Sequence, residues 1–266
     1  MFQPVVPLSG LTGWVFLQNT LDSQTAAFNR SPQITRDTDY FEAEIGKITS
    51  AEDLVSDRRL LRVTLGAFGL GDDIENRFLI RSVLESDTNA NDALANRLAD
   101  DRYAALADAF GFGSIAGPRT QDPLFGRQIT EQYRTRSFEV AVGDQNEALR
   151  LALNADRELV DLAAGSESED TKWFQILGTP PLRSVFETAL GLPEGFAQLD
   201  IDKQREIFKD KASSNLGIDN LSDLADEAVR EDFMRNYLLR DQIRDINFQS
   251  STSIALSLLQ SAPAQF

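Results

Sequence analysis

The chain contains no cysteine and no histidine. Without cysteine it forms no disulfide, offers no thiolate nucleophile and holds no Fe–S or zinc–thiolate centre. Without histidine it lacks the commonest general base near neutral pH and the commonest metal ligand. Lysine is nearly as scarce, and no lysine has a serine three residues before it, so a Ser-x-x-Lys nucleophile is absent. No run approaches the roughly 20 apolar residues of a membrane span. Asparagine-glycine hairpin signals are missing, and long β-branched runs are few.

Positive charge is also in deficit. Lys+Arg number 26 against 42 Asp+Glu, for a net charge of −16 and a pI near 4.4. Nucleic acid and anionic lipid both need a basic face, so the charge argues against either as the main partner, and the missing apolar run argues against membrane insertion. The opening Met1-Phe-Gln-Pro-Val-Val-Pro-Leu8 has no basic stretch, and two prolines interrupt it. A Sec signal peptide is therefore not expected, and a cytoplasmic location is.

What is present reads as a folded, all-α multihelical protein. The 266 residues are 42% hydrophobic and 26% charged, enough for one large or two small domains. Trp14, Leu17, Leu21 and Phe28 place an apolar stripe on a helix from about Leu11 to Asn29, which Ser31-Pro32 ends. A second helix carries Tyr40, Phe41 and Ile45. Thr49-Ser-Ala-Glu52 fits a capping box with Thr49 as the cap. A helical stretch from about Ile129 to Ala164 breaks near Gly143-Asp144, and Pro180-Pro181 opens another helix. The last long helix, about Leu221 to Phe248, turns Leu224, Ala228, Phe233 and Tyr237 inward.

A helix ending repeats four times. Ala67-Phe-Gly-Leu70, Ala109-Phe-Gly-Phe112, Ala189-Leu-Gly-Leu192 and Asn215-Leu-Gly-Ile218 each set glycine between apolar residues after a helical run. A Schellman ending has this pattern: glycine takes the left-handed position and the next apolar residue packs back on the last turn. Leu60–Leu70 further matches Leu182–Leu192 at Leu60/Leu182, Val63/Val185 and Ala67/Ala189. That match fits either a duplicated helical unit or two helices sharing a cap. The Gly- and Pro-rich segment 111–126 divides the chain into an N-terminal helical half, 1–115, and a C-terminal helical half, 127–266.

Searching for chemistry yields no catalytic, cofactor-binding or metal-binding residues, and no cofactor is expected. Asp223, Glu227 and Glu231 recur every four residues as a cation stripe would. Asp226→Arg230 and Glu231→Arg235 pairing reads them instead as a solvated face. Asp87-Thr-Asn-Ala-Asn-Asp92 starts like a calcium loop, but Asp92 and Leu98 stand where glycine and glutamate belong, so Asp87 or Asn91 is read as a helix cap. Gly111-Phe-Gly-Ser-Ile-Ala-Gly117 has the wrong spacing for a dinucleotide fingerprint. Arg58-Arg59 reads either as a grip on a partner carboxylate or as the polar face of its helix. The candidate interaction residues are Trp14, Leu17 and Leu21 near the start, and Ile254, Leu256, Leu258 and Leu259 in the low-charge segment at the end. Both groups read as core, as a partner surface or as a self-association surface.

The Phe2-Gln-Pro-Val-Val-Pro-Leu-Ser-Gly-Leu-Thr-Gly-Trp14 segment, Tyr40-Phe41, Asp57-Arg-Arg-Leu-Leu61, Gly66-Ala-Phe-Gly-Leu70, Ala95-Asn-Arg-Leu-Ala-Asp100 and Trp173-Phe174 resemble a family of uncharacterised alphaproteobacterial proteins. That family is all-helical and often encoded among flagellar genes. The closing Ala255-Leu-Ser-Leu-Leu259 is similar to the apolar C-terminal helix of flagellins. The resemblance implies a non-enzymatic protein-interaction factor in flagellar assembly, or a minor flagellar structural component, with a flagellar protein partner and a cytoplasmic or flagellum-associated location. It brings no catalytic motif. The alternative is a carboxylate- or metal-dependent enzyme or a small-ligand binder.

Overall fold

The structure, a computed structural model, describes residues 2–90 and 92–261, with side-chain surroundings as far as Ile246 except at Glu194. Among the described residues there are thirteen α-helices, five short 3-10 turns and no strand, an all-α multihelical fold. No described helix is long and apolar enough to cross a membrane.

The first helix, α1 (Gly10–Asn29), buries Trp14, Leu17 and Phe28, and Pro32 starts α2 (Pro32–Glu44) at a position where its missing N–H costs nothing. The cap of α3 (Ala51–Ser56) falls one residue later than the sequence suggests. Ser50, in extended conformation, accepts the Asp53 N–H at 3.1 Å and donates its hydroxyl to the Asp53 carboxylate at 2.6 Å. Thr49 is not the cap, and Ser50 holds the first turn through Asp53 rather than through Glu52.

Asp57 caps α4 (Arg58–Ala67), accepting the N–H groups of Arg59 at 2.8 Å and Leu60 at 3.1 Å, and it takes a 2.6 Å bond from the Tyr40 hydroxyl. Partial burial opposes its charge, but the Tyr40 bond and the two helix N–H bonds outweigh that and hold its carboxyl below the usual range. A depressed carboxylate stabilises the fold above its unfolded-state pKa and loses that contribution as pH falls through the folded value. Asp57→Asn is therefore expected to be destabilised at pH 7 by roughly 1 kcal/mol, with the gap from wild type closing below about pH 4. Urea titrations at both pH values check this, and a gap that widens in acid would refute it.

The chain continues through α5 (Arg77–Leu84), α6 (Leu94–Arg97) and α7 (Asp101–Phe110), the last capped by Asp100. Asp87 caps none of these; it accepts the Asn89 N–H in a local turn, and Ala93 precedes α6. Asn91 lies outside the described residues. The segment 111–126 contains two left-handed glycines, Gly111 and Gly117, a 3-10 turn at Arg119–Gln121 and the first residues of α8 (Phe125–Gly143). Asn146 then caps α9 (Glu147–Ala164) and Ser168 caps α10 (Glu169–Gly178). Pro180 and Pro181 open α11 (Pro180–Ala189), followed by α12 (Ile201–Leu216) and α13 (Glu227–Ser261).

α4 packs against α2, α3 and α8; α8 packs in turn on α9, and α9 on α11 and α13. α1 reaches across to α8, α9 and α13. Helices from both sides of segment 111–126 thus share one continuous core, running from Trp14 to Leu238.

The matched helices α4 and α11 end alike. In each the residue after glycine donates its N–H five residues back, Leu70 to Leu65 and Leu192 to Glu187, both at 2.8 Å, with Gly69 at φ +69° and Gly191 at φ +65°. Both are Schellman endings. Gly111 and Gly217 also take the left-handed conformation at helix ends. The positions matched in sequence, Leu60/Leu182, Val63/Val185 and Ala67/Ala189, are all buried.

The end of the chain differs from the sequence reading. Residues Leu221–Ala225 form a 3-10 turn closed by an Asn220/Asp223 capping box, and α13 begins only at Glu227. Asp223 and Glu227 therefore do not share a helix face, and Ala228 is exposed. Asp226 is held as a cap, accepting the Ala228 N–H, so Arg230 turns instead to Asp156 on α9 at 2.8 Å. Arg235 pairs with Asp232 rather than Glu231.

Candidate functional site

Two features stand out from the core: a cleft along α8 and an uncovered stripe on α13. The cleft, about 860 Å³, follows the face of α8 that carries Tyr133, Arg136 and Val140. The C-terminal turn of α4 forms one wall, and the starts of α9 and α11 form the other. Gly66 permits this arrangement, since a side-chain carbon there would come within 2.7 Å of the Tyr133 ring. Its volume is that of a small-ligand site.

The floor is polar and ionic. Arg157 donates to Glu139 through Nε at 2.8 Å and Nη2 at 3.2 Å, and to Glu158 through Nη1 at 2.8 Å. Arg136 shares Glu158, also at 2.8 Å. Glu139 and Asn154 are almost fully buried, so this network of two arginines and two glutamates joins α8 to α9 in a medium of low polarity. At the rim, Tyr103 donates to Asp73 at 2.7 Å; burial and this bond push its phenol up to about 12. Among the described residues no three His, Cys, Asp or Glu side chains stand together to hold a metal ion.

The second feature lies on α13, whose backbone is helical over 35 residues, roughly 50 Å at 1.5 Å per residue. One face buries Phe233, Tyr237 and Leu238. On the other, Leu239, Ile243 and Ile246 fall at i, i+4 and i+7, and are 43%, 57% and 65% exposed.

Of the interaction residues read from sequence, Trp14 and Leu17 lie in the chain's own core, and Leu21 is half-buried against it. Ile254, Leu256, Leu258 and Leu259 lie on the helical backbone of α13, and their side chains fall outside the described ones. Arg58 pairs with Glu75, and the Arg59 guanidinium lies 3.8 Å from the centre of the Tyr40 ring. Both serve the chain itself. Sequence reasoning passed over Arg102 and Arg136 in the cleft, which only tertiary folding brings together. It also passed over the 239/243/246 spacing, which was visible in sequence.

A model of proteins of unknown function, DUF1217, matches residues 67–229, more than half of the chain. The chain belongs to the DUF1217 family. The match runs from the end of α4 to the start of α13, so it includes Arg102 and Arg136 but not the α13 stripe. The crystal structure of protein AGR_C_984 from Agrobacterium tumefaciens is similar to this DUF1217 member over 91% of this chain and 99% of that one, with 25% identity and a TM-score of 0.72. No curated protein matches the chain.

Proposed function

We propose that the protein is a non-enzymatic interaction factor of the bacterial flagellum, acting in assembly or as a minor structural component. The observation that carries this reading is the α13 stripe. Leu239, Ile243 and Ile246 present an apolar helical face that the described residues do not cover, and an apolar helix face left in water is the usual mark of a partner site. The flagellar context comes from the resemblance of the sequence to alphaproteobacterial proteins encoded among flagellar genes. A net charge of −16 keeps such a surface soluble and disfavours nucleic acid.

A pull-down from flagellated cells of the source organism tests the docking step. Wild-type protein is expected to retain flagellar proteins. The Leu239→Asp/Ile243→Asp/Ile246→Asp variant is expected to lose them while keeping the wild-type helical circular dichroism. Equal retention by the folded variant would remove the stripe from the account.

A further inference from the structure

In the cleft along α8, two guanidinium groups converge beside Gly69. Arg102 comes from the first turn of α7 and Arg136 from α8. The Nη1 atom of each lies 3.3 Å from the position a side-chain carbon on Gly69 would take. The two nitrogens are therefore within about twice that distance of each other, a span that one carboxylate bridges with an oxygen on either side.

Arg102 is otherwise engaged: Nε and Nη2 bond Asp100, and Nη1 also donates to the Gly69 carbonyl. Arg136 is short of acceptors. Its bond to Glu158 is shared with Arg157, which also takes both oxygens of Glu139. Its Nε is buried without an acceptor among the described residues. Burial, reinforced by the neighbouring Arg157 charge, lowers the pKa of Arg136 from the ordinary arginine value. Arg136 therefore keeps donor capacity that the described residues do not use.

The remaining lining selects among anions. Val140, 53% exposed, and Leu151 are apolar; Arg62 and Arg150 also line the cleft, but Arg150 is paired with Glu147, and Asp72, Asp73 and Asp144 offset the positive charge that a polyanion would need. We propose that the cleft binds a single carboxylate carried on an apolar body, the carboxylate bridging Arg102 and Arg136 and the apolar part lying on Val140 and Leu151. A small carboxylic acid and an acidic peptide side chain present the same chemistry.

The test titrates the full chain with sodium octanoate, with octanamide, and with a capped hexapeptide of leucines around one glutamate. Calorimetry gives affinity, and the arginine Nε–H resonances report the site. Octanoate or the peptide is expected to bind at least about tenfold more tightly than octanamide and to shift the Arg136 resonance; whichever of the two binds identifies the source. Arg136→Gln is expected to weaken that binding by about tenfold or more. Val140→Glu is a surface change that sets a carboxylate of the chain's own one helical turn from Arg136, and should weaken binding similarly. The proposal is overturned by equal affinity for octanoate and octanamide, by unchanged binding in folded Val140→Glu, or by no binding of either carboxylate up to about 10 mM.

Discussion

Phe186→Ala is expected to lower the unfolding free energy by about 3–5 kcal/mol. Phe186 has no solvent exposure. Its ring lies 5.8 Å from that of Trp173 on α10, 6.0 Å from Phe208 on α12 and 4.6 Å from Phe233 on α13, measured between centroids. Four helices therefore meet on one side chain. Truncation removes the transfer energy of the ring and leaves a void lined by other rigid rings, which close on it poorly. Edge-to-face contact with Trp173 adds to the loss, by about 0.5–1.5 kcal/mol for such a pair. Urea unfolding checks the figure; the midpoint should fall with the slope unchanged, since the exposed area is nearly the same. A loss under about 1 kcal/mol would mean that the cluster reorganises, contrary to the packing described.

Glu139→Gln is the second large effect, at about 3–5 kcal/mol. The side chain of Glu139 is 8% exposed and accepts two bonds from Arg157. Neutralising it leaves Arg157 and Arg136, both largely buried, to share Glu158 alone. Burial disfavours the charge on Arg157, but the Glu139 bonds outweigh it and hold its pKa above the ordinary arginine value. The loss should therefore come from a stranded cation rather than from one missing hydrogen bond. Removing both charges, in Glu139→Gln/Arg157→Met, should recover a substantial part of the stability, because a paired buried charge is worth less than breaking the pair costs. Additive losses in that double-mutant cycle would contradict this view of the network.

Much of the helical architecture was legible because its signals are local. The glycine stops at Gly69, Gly111, Gly191 and Gly217, the Pro180-Pro181 start and the break near Gly143 depend on a few neighbouring residues, and each appears in place. Where several side chains compete for one role, the reading slipped. Thr49 and Ser50 were both able to cap, and it is the Ser50 hydroxyl that accepts the Asp53 N–H. Asp226 ended a turn and capped α13 instead of joining an i, i+4 ladder, which freed Arg230 for Asp156.

The site was much less legible. Trp14 and Leu17 have the same spacing whether a stripe faces a core or a partner, and here the contacts with α8, α9 and α13 cover them. Arg102 and Arg136 meet only because the left-handed turn at Gly69 brings the end of α4 between α7 and α8. Nothing in their own neighbourhoods marks them among twenty-one arginines.

The central claim, a flagellar role exercised through α13, is tested most directly by deleting the gene in the source organism. The deletion strain is complemented with wild type or with the Leu239→Asp/Ile243→Asp/Ile246→Asp variant, and swimming and flagella are scored by microscopy. The account predicts missing or defective flagella in the deletion strain, restored by wild type and not by the folded variant. Normal flagella and normal swimming without the protein would contradict it.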